Sequence, residues 1–250
     1  MSGTRLYVHA LALGLDPAWR RLGDRERQAD AEALSDVIDI RPDVRTHTYS
    51  MIGLEAGADL LLWRLAPSLD DLEESAAALL RTGLGRWLSV RHSFIGLIGE
   101  SQYVARATSQ EQSLFEGERS RYLVVYPFTK STDWYLLSKE ARQGIMNGHM
   151  RVGHQYKQVR QLLAYSFGLD DQDFVVAYET DDLPGFGALV RELRGTESRR
   201  STVSDTPILA AIHRPIREIL ELLGAFEGDR TLELDPRLAP TAERELAGLR

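Results

Sequence analysis

The sequence predicts an α+β fold built twice from the same order of elements, and three observations predict it. Strand and helix periodicities follow one another as strand, helix, strand, strand, helix, strand on both sides of a polar stretch from Ser101 to Arg119. Turn chemistry repeats at a spacing of about 115 residues. Gly53-Leu54-Glu55 and Gly168-Leu169-Asp170 start the turn between the middle strands, and Asp70-Asp71-Leu72 and Asp181-Asp182-Leu183 precede the second helix. Finally, 250 residues at 43% hydrophobic content suffice for two such units with a sizeable core.

In the first unit a strand runs from about 5 to 13 (RLYVHALAL). A helix from about 17 to 38 follows, where Trp19, Leu22, Ala29, Ala33, Val37 and Ile38 recur at helical spacing. Strands are expected at about 46 to 53 and 59 to 65. Ser68 with Asp70 and Asp71 caps a helix reaching about Leu84, and a strand over about 88 to 98 closes the unit. In the second unit RYLVVYPF (121 to 128) is a strand with aromatics on alternate positions. LSKEARQGIMNGHMRVGHQY is a helix capped by Ser138, RQLLAYSF and DFVVAYE are strands, LPGFGALVRELR is a helix, and TPILAAIH is the last strand. The βαββαβ order is the ferredoxin-like arrangement, so the subunit is expected as a dimeric α+β barrel of two halves. The halves span 1–105 and 106–226, and 227–250 form a polar, proline-interrupted tail without a readable motif.

Composition removes several functions. A net charge of −7 with no basic block argues against a nucleic-acid partner. Without cysteine the chain has no disulfide, thiolate metal site, iron–sulfur cluster or cysteine nucleophile. The first residues read as a strand rather than a signal peptide, and no apolar run approaches a membrane span, so a cytoplasmic location is expected.

Among six histidines, His149 and His154 lie on one helix, five residues apart. That spacing is neither the three nor the four that shares a helical face, which argues against a common metal. Ile145, His149, Val152 and Tyr156 form one apolar stripe, whereas Met150 and His154 belong to the other side, so His149 faces inward and His154 faces solvent. A lone histidine on an apolar face is more often a packed core residue than a ligand. The corresponding helix of the first half carries Leu34 at that place, however, so packing there does not demand an imidazole. No histidine pair at i, i+3 or i+4 and no H-E-x-x-H motif occurs, which argues against zinc or non-haem iron. A ligand needing one imidazole remains open, and haem is the main such ligand.

The second half resembles the chlorite dismutase-like family, and within it the coproheme decarboxylases. The residues that carry the resemblance are Tyr126-Pro-Phe-Thr-Lys130, Trp134-Tyr135-Leu136-Leu137, His149-Met-Arg-Val-Gly-His-Gln-Tyr156, Gln161 followed by SFGLDDQDF, and LVRELR ending at Arg194. They stand in the family's order from about Arg121 to Ile212, while the first half agrees in architecture alone. Met150 replaces a glycine of the pattern, His154 replaces an arginine, and the loop after Tyr156 is one residue shorter.

The resemblance implies haem or iron coproporphyrin III (coproheme) bound by the second half, with His149 as iron ligand. It also implies a homopentamer, and peroxide-dependent oxidative decarboxylation of coproheme to haem b. Tyr126 matches the radical tyrosine and Lys130 a lysine that contacts a propionate. Gln161 matches the distal glutamine, where chlorite dismutases carry arginine, and Trp134 a pocket tryptophan. Arg199 and Arg200 lie where the family places a polar segment touching propionates. Two other functions stand beside this one: a haem protein with peroxidase or other activity, and a haem-free assembly protein of the same fold.

Overall fold

Alternation with period two makes β1 (Leu6–Leu15) a strand whose faces serve different cores. Val8, Ala10 and Ala12 point one way, and Leu11, Leu13 and Leu15 the other; all are buried. The computed structural model describes residues 6–38, 41–98 and 118–226. The stretch expected from Ser101 to Arg119 is described only at its last two residues, and the tail at 227–250 lies outside the described residues.

The remaining strands are β2 (Arg45–Glu55), β3 (Ala58–Ala66), β4 (Leu88–Ile98), β5 (Tyr122–Lys130), β6 (Arg160–Tyr165), β7 (Phe174–Thr180), β8 (Thr202–Ser204) and β9 (Leu209–His213). Their order is β7-β6-β4-β1-β3-β2-β9-β5, and β5 pairs back onto β7. Eight antiparallel strands thus close on themselves, with β8 added to β5. The seams between halves are short: Leu97 opposite Tyr165, and Tyr49 and Ser50 opposite His213 and Ile212. At the first seam a Cβ on Gly96 would stand 2.7 Å from the Cβ of Ala164, so only glycine lets β4 and β6 approach this closely. Inside the barrel, Tyr49, Leu61, Trp63, Phe94, Leu123 and Val125 interlock with small residues such as Ala10, Ala12, Ala164 and Ala177.

Outside it, α1 (Asp24–Ile38) and α2 (Leu69–Leu80) cover the first half, and α3 (Thr132–Leu136), α4 (Lys139–Gly153) and α5 (Leu183–Arg194) follow in the second. Ser68 accepts a bond from the Asp71 amide and Ser138 from the Ala141 amide, the two caps expected from sequence. The helix expected over 17 to 38 is broken: Pro17–Arg21 is a 3₁₀ turn, and Leu22-Gly23 separates it from α1. The second helix likewise stops at Leu80, ahead of a 3₁₀ turn at Gly83–Trp87. Gly53 lies inside β2 rather than in the turn, which falls just before Ala58; it nevertheless shares φ of 71° with Gly168. The strand expected at TPILAAIH is confined to Leu209–His213. The elements not expected are α3, the 3₁₀ turn Glu197–Ser201, β8 and α6 (Ile216–Leu223). Ile219, Leu220 and Leu223 of α6 pack on the outer core of the first half, against the leucines of β1 and β3.

Candidate functional site

The two halves treat the space between sheet and helices differently. In the first, Leu11, Leu13, Leu60 and Leu62 meet Trp19, Leu34 and Leu79, all buried. Each such side chain stabilises by roughly 1.5–3 kcal/mol when withdrawn from water. In the second half the same space holds a cavity of about 210 Å3. Side chains leave it unfilled, so the second half forgoes packing that the first half takes, which is the mark of a ligand site.

Strand alternation decides which residues reach it. On β5 the outer face carries Tyr126, Phe128 and Lys130; on β6 Gln161 and Leu163; on β7 Phe174, Val176 and Tyr178; all line the cavity. From α4 come Met146, His149, Met150, Gly153 and His154, at successive intervals of three, one, three and one, a single helical face. The stripe expected from sequence is therefore turned. His149 lies on the cavity face, but Val152 and Tyr156 pack beside Val159 and Leu189, and Ile145 is not in the lining. His154, assigned to solvent, is exposed and also borders the cavity, because the backbone stays helical through its C-cap position.

His149 is half-buried, and its Nδ1 lies 3.0 Å from Ser198 Oγ. Burial, and then the charge of Lys130, lower its pKa to about 4, so the ring is neutral at neutral pH. With Nδ1 engaged, Nε2 is the nitrogen available to a ligand. Lys130 Nζ donates to the Ser198 carbonyl at 2.9 Å and lies 4.5 Å from the ring centroid of Trp134, which is buried. Burial, and then Arg199, lower the Lys130 pKa to about 8. Burial first, and then the neighbouring Tyr178, raise the Tyr126 pKa well above the ordinary phenol value. Gln161 faces Tyr178 in the β6–β7 register. Arg199 reaches Asp205 at 2.5 Å and Arg194 the same carboxylate at 3.8 Å, all three in the cavity wall. Arg200 is exposed and outside the lining.

The structure thus brings together Tyr126, Lys130, Trp134, His149, Gln161 and Arg199 and leaves Arg200 apart. Tyr178, Ser198 and Asp205 were not singled out from sequence. Tyr178 alternates with Phe174 and Val176 on β7 and could have been found from that strand's period, whereas nothing local marks Ser198.

Among the described residues no three or more histidine, aspartate or glutamate side chains cluster to hold a metal. A metal at His149 would accordingly take its other ligands from the molecule that carries it, as porphyrin iron does. One bare imidazole nitrogen, apolar and aromatic walls, and three cationic side chains against one carboxylate suit a porphyrin with acidic substituents.

The model of the chlorite dismutase family matches residues 26–214. Over 177 residues the chain is 30% identical to the coproheme decarboxylase of Mycolicibacterium smegmatis, covering 70% of this chain and 75% of that protein. Among solved structures, a mutant chlorite dismutase from Candidatus Nitrospira defluvii has a TM-score of 0.80 at 28% identity. The same organism's chlorite dismutase in complex with imidazole has a TM-score of 0.79 at 29% identity. Each covers 87% of this chain and 94% of the solved one.

Proposed function

The chain belongs to the chlorite dismutase family, and from that premise we propose that it converts coproheme to haem b by peroxide-dependent oxidative decarboxylation. One observation carries this reading: the unprotonated imidazole of His149, an oxidisable phenol and a cluster of cations open into one apolar-walled cavity. For each propionate, one hydrogen peroxide and one proton are consumed, and a vinyl group, carbon dioxide and two waters are formed.

The bound iron porphyrin supplies the reaction with peroxide and the oxidising power. His149 would hold the iron through Nε2. Lys130, Arg194 and Arg199 bind and orient carboxylates; the fork of arginine suits a carboxylate in two-pronged fashion. Tyr126 is kept protonated by burial, so it gives up a hydrogen atom as a unit and can then take one from a propionate. Gln161 orients a small neutral molecule by hydrogen bonding and brings no charge of its own. Phe128, Phe174 and Val176 exclude water from the reacting carbons.

The ferredoxin-like reading of each half is supported by strand order: β4-β1-β3-β2 and β9-β5-β7-β6 correspond position by position. No helix among the described residues is long and apolar enough to cross a membrane. A cytoplasmic location and a homopentamer complete the proposal; sedimentation velocity tests the assembly.

The test of function is an absorption titration with coproheme and with haem b, followed by peroxide and mass analysis of the extracted porphyrin. A Soret shift with coproheme and conversion to haem b are expected. Absence of haem b from a protein that binds coproheme would overturn the reading.

A further inference from the structure

We propose that Thr196 and Ser198 form a hydroxyl chain that fixes the tautomer of His149, keeping the proton on Nδ1 and the Nε2 lone pair toward the cavity. The inference rests on the reading of His149 as the iron ligand and assigns positioning roles to two residues beyond it.

Each donor in the chain is determined by the one before. Thr196 Oγ1 lies 2.6 Å from the Leu193 carbonyl, which can only accept, so the single hydrogen of Thr196 is committed there. Thr196 Oγ1 and Ser198 Oγ are 3.0 Å apart, and with threonine committed, serine must donate. The hydrogen of Ser198 is then committed as well, so at 3.0 Å from His149 Nδ1 its oxygen can only accept. Nδ1 therefore carries the proton, and in the neutral ring Nε2 is bare. The scaffold holding this chain is local: Leu193 lies in the last turn of α5, and Thr196 and Ser198 flank the start of the 3₁₀ turn Glu197–Ser201. Ser198 is buried, and Lys130 Nζ anchors its carbonyl at 2.9 Å. A serine hydroxyl has one hydrogen and free rotation, so by itself it could serve either tautomer. Thr196 removes that choice, because it occupies the serine hydrogen.

The test uses the full-length, porphyrin-free protein labelled with ¹⁵N-histidine, with ring nitrogens followed by long-range ¹H–¹⁵N spectra at neutral pH and His149 identified by its loss in His149→Gln. The wild type should show a protonated Nδ1 and an unprotonated Nε2. Thr196→Val keeps the shape of the side chain but frees the Ser198 hydrogen to turn toward Nδ1, so the populations should move to the Nε2-protonated form. Ser198→Ala should give a mixture of both forms. A wild type protonated on Nε2, or a Thr196→Val protein with unchanged tautomer and unchanged circular dichroism, would overturn the proposal. Loaded with haem b, Thr196→Val should bind roughly 10- to 100-fold more weakly, the usual effect of losing a partner behind a metal ligand. The tautomer measurements contain no porphyrin, so they stand or fall apart from the functional reading. That reading fails separately if the wild type shows no Soret shift with either porphyrin.

Discussion

Tyr126 and Tyr178 stack across β5 and β7 with ring centroids 6.1 Å apart and planes inclined by 27°. Tyr126→Phe keeps the stacked ring and removes the oxidisable group. It should bind coproheme nearly as wild type does, consume peroxide, and yield almost no haem b by mass analysis. Wild-type yield from this variant would make Tyr126 a wall residue only.

Replacing His149 by alanine should abolish tight porphyrin binding with the fold retained, read as loss of the Soret shift alongside an unchanged far-ultraviolet spectrum. His154→Ala removes an exposed side chain at the cavity border and should leave the Soret band nearly unchanged, with affinity within about threefold, or roughly 0.6 kcal/mol. The opposite pattern would reverse the roles of the two histidines.

Lys130 gives a pH signature. Burial and Arg199 lower its folded-state pKa from 10.5 to about 8. Between these values the unfolded chain holds a proton that the folded chain lacks, so stability rises as pH increases through the window and is fully penalised below about 8. Urea midpoints should rise across this range for the wild type relative to Lys130→Met. Affinity for a carboxylate-bearing porphyrin should fall across it, because the cation disappears. Parallel curves for the two proteins would show that Lys130 is not the titrating group.

Gln161 offers an amide where a fixed positive charge would favour an anionic oxidant. Oxygen release from chlorite should therefore be slow and accompanied by bleaching of the porphyrin, as recorded with an oxygen electrode. Rapid, sustained release would place the activity with the chlorite dismutases.

Glu179 is fully buried on the inner face of β7. It accepts from the Tyr49 hydroxyl at 2.7 Å and lies 2.8 Å from Arg160 and 3.5 Å from Arg119. Because Tyr49 belongs to β2, this carboxylate ties the halves together inside the barrel. Glu179→Ala withdraws the anion from two arginines and should cost about 3–5 kcal/mol in urea denaturation. A loss below 1 kcal/mol would mean that the network contributes little.

The barrel's strands were legible because both periodicities and turn residues agree with the fold. Ser68 and Ser138 announced their helices because a cap is a local device. Less legible were features decided by packing. Leu22-Gly23 interrupts a sequence whose apolar positions continue smoothly across the break. Ile216, Ile219, Leu220 and Leu223 show a helical pattern, but that α6 belongs on the first half is settled by the leucines of β1 and β3. At the site, the orientation of α4 shifted by about one position from the apolar stripe. That face of α4 borders a cavity instead of packing directly against side chains, so Met150 and His154 line it although their neighbours suggested solvent. Ser198 was invisible for another reason: it contacts His149 from 49 residues away, through a turn without periodicity.

No residue of α4 is fully buried, whereas α1 sinks Ala31, Leu34 and Ile38 into its core. The amides of α4 should thus exchange with deuterated solvent well before those of α1, through local opening rather than global unfolding. A molecule held between α4 and the sheet supplies the missing contacts and taxes that opening. At a free concentration 100 times its dissociation constant it would add about 2.7 kcal/mol to the closed state. Occupancy of the cavity can then be read as slowed exchange of one helix, with no chromophore or turnover required.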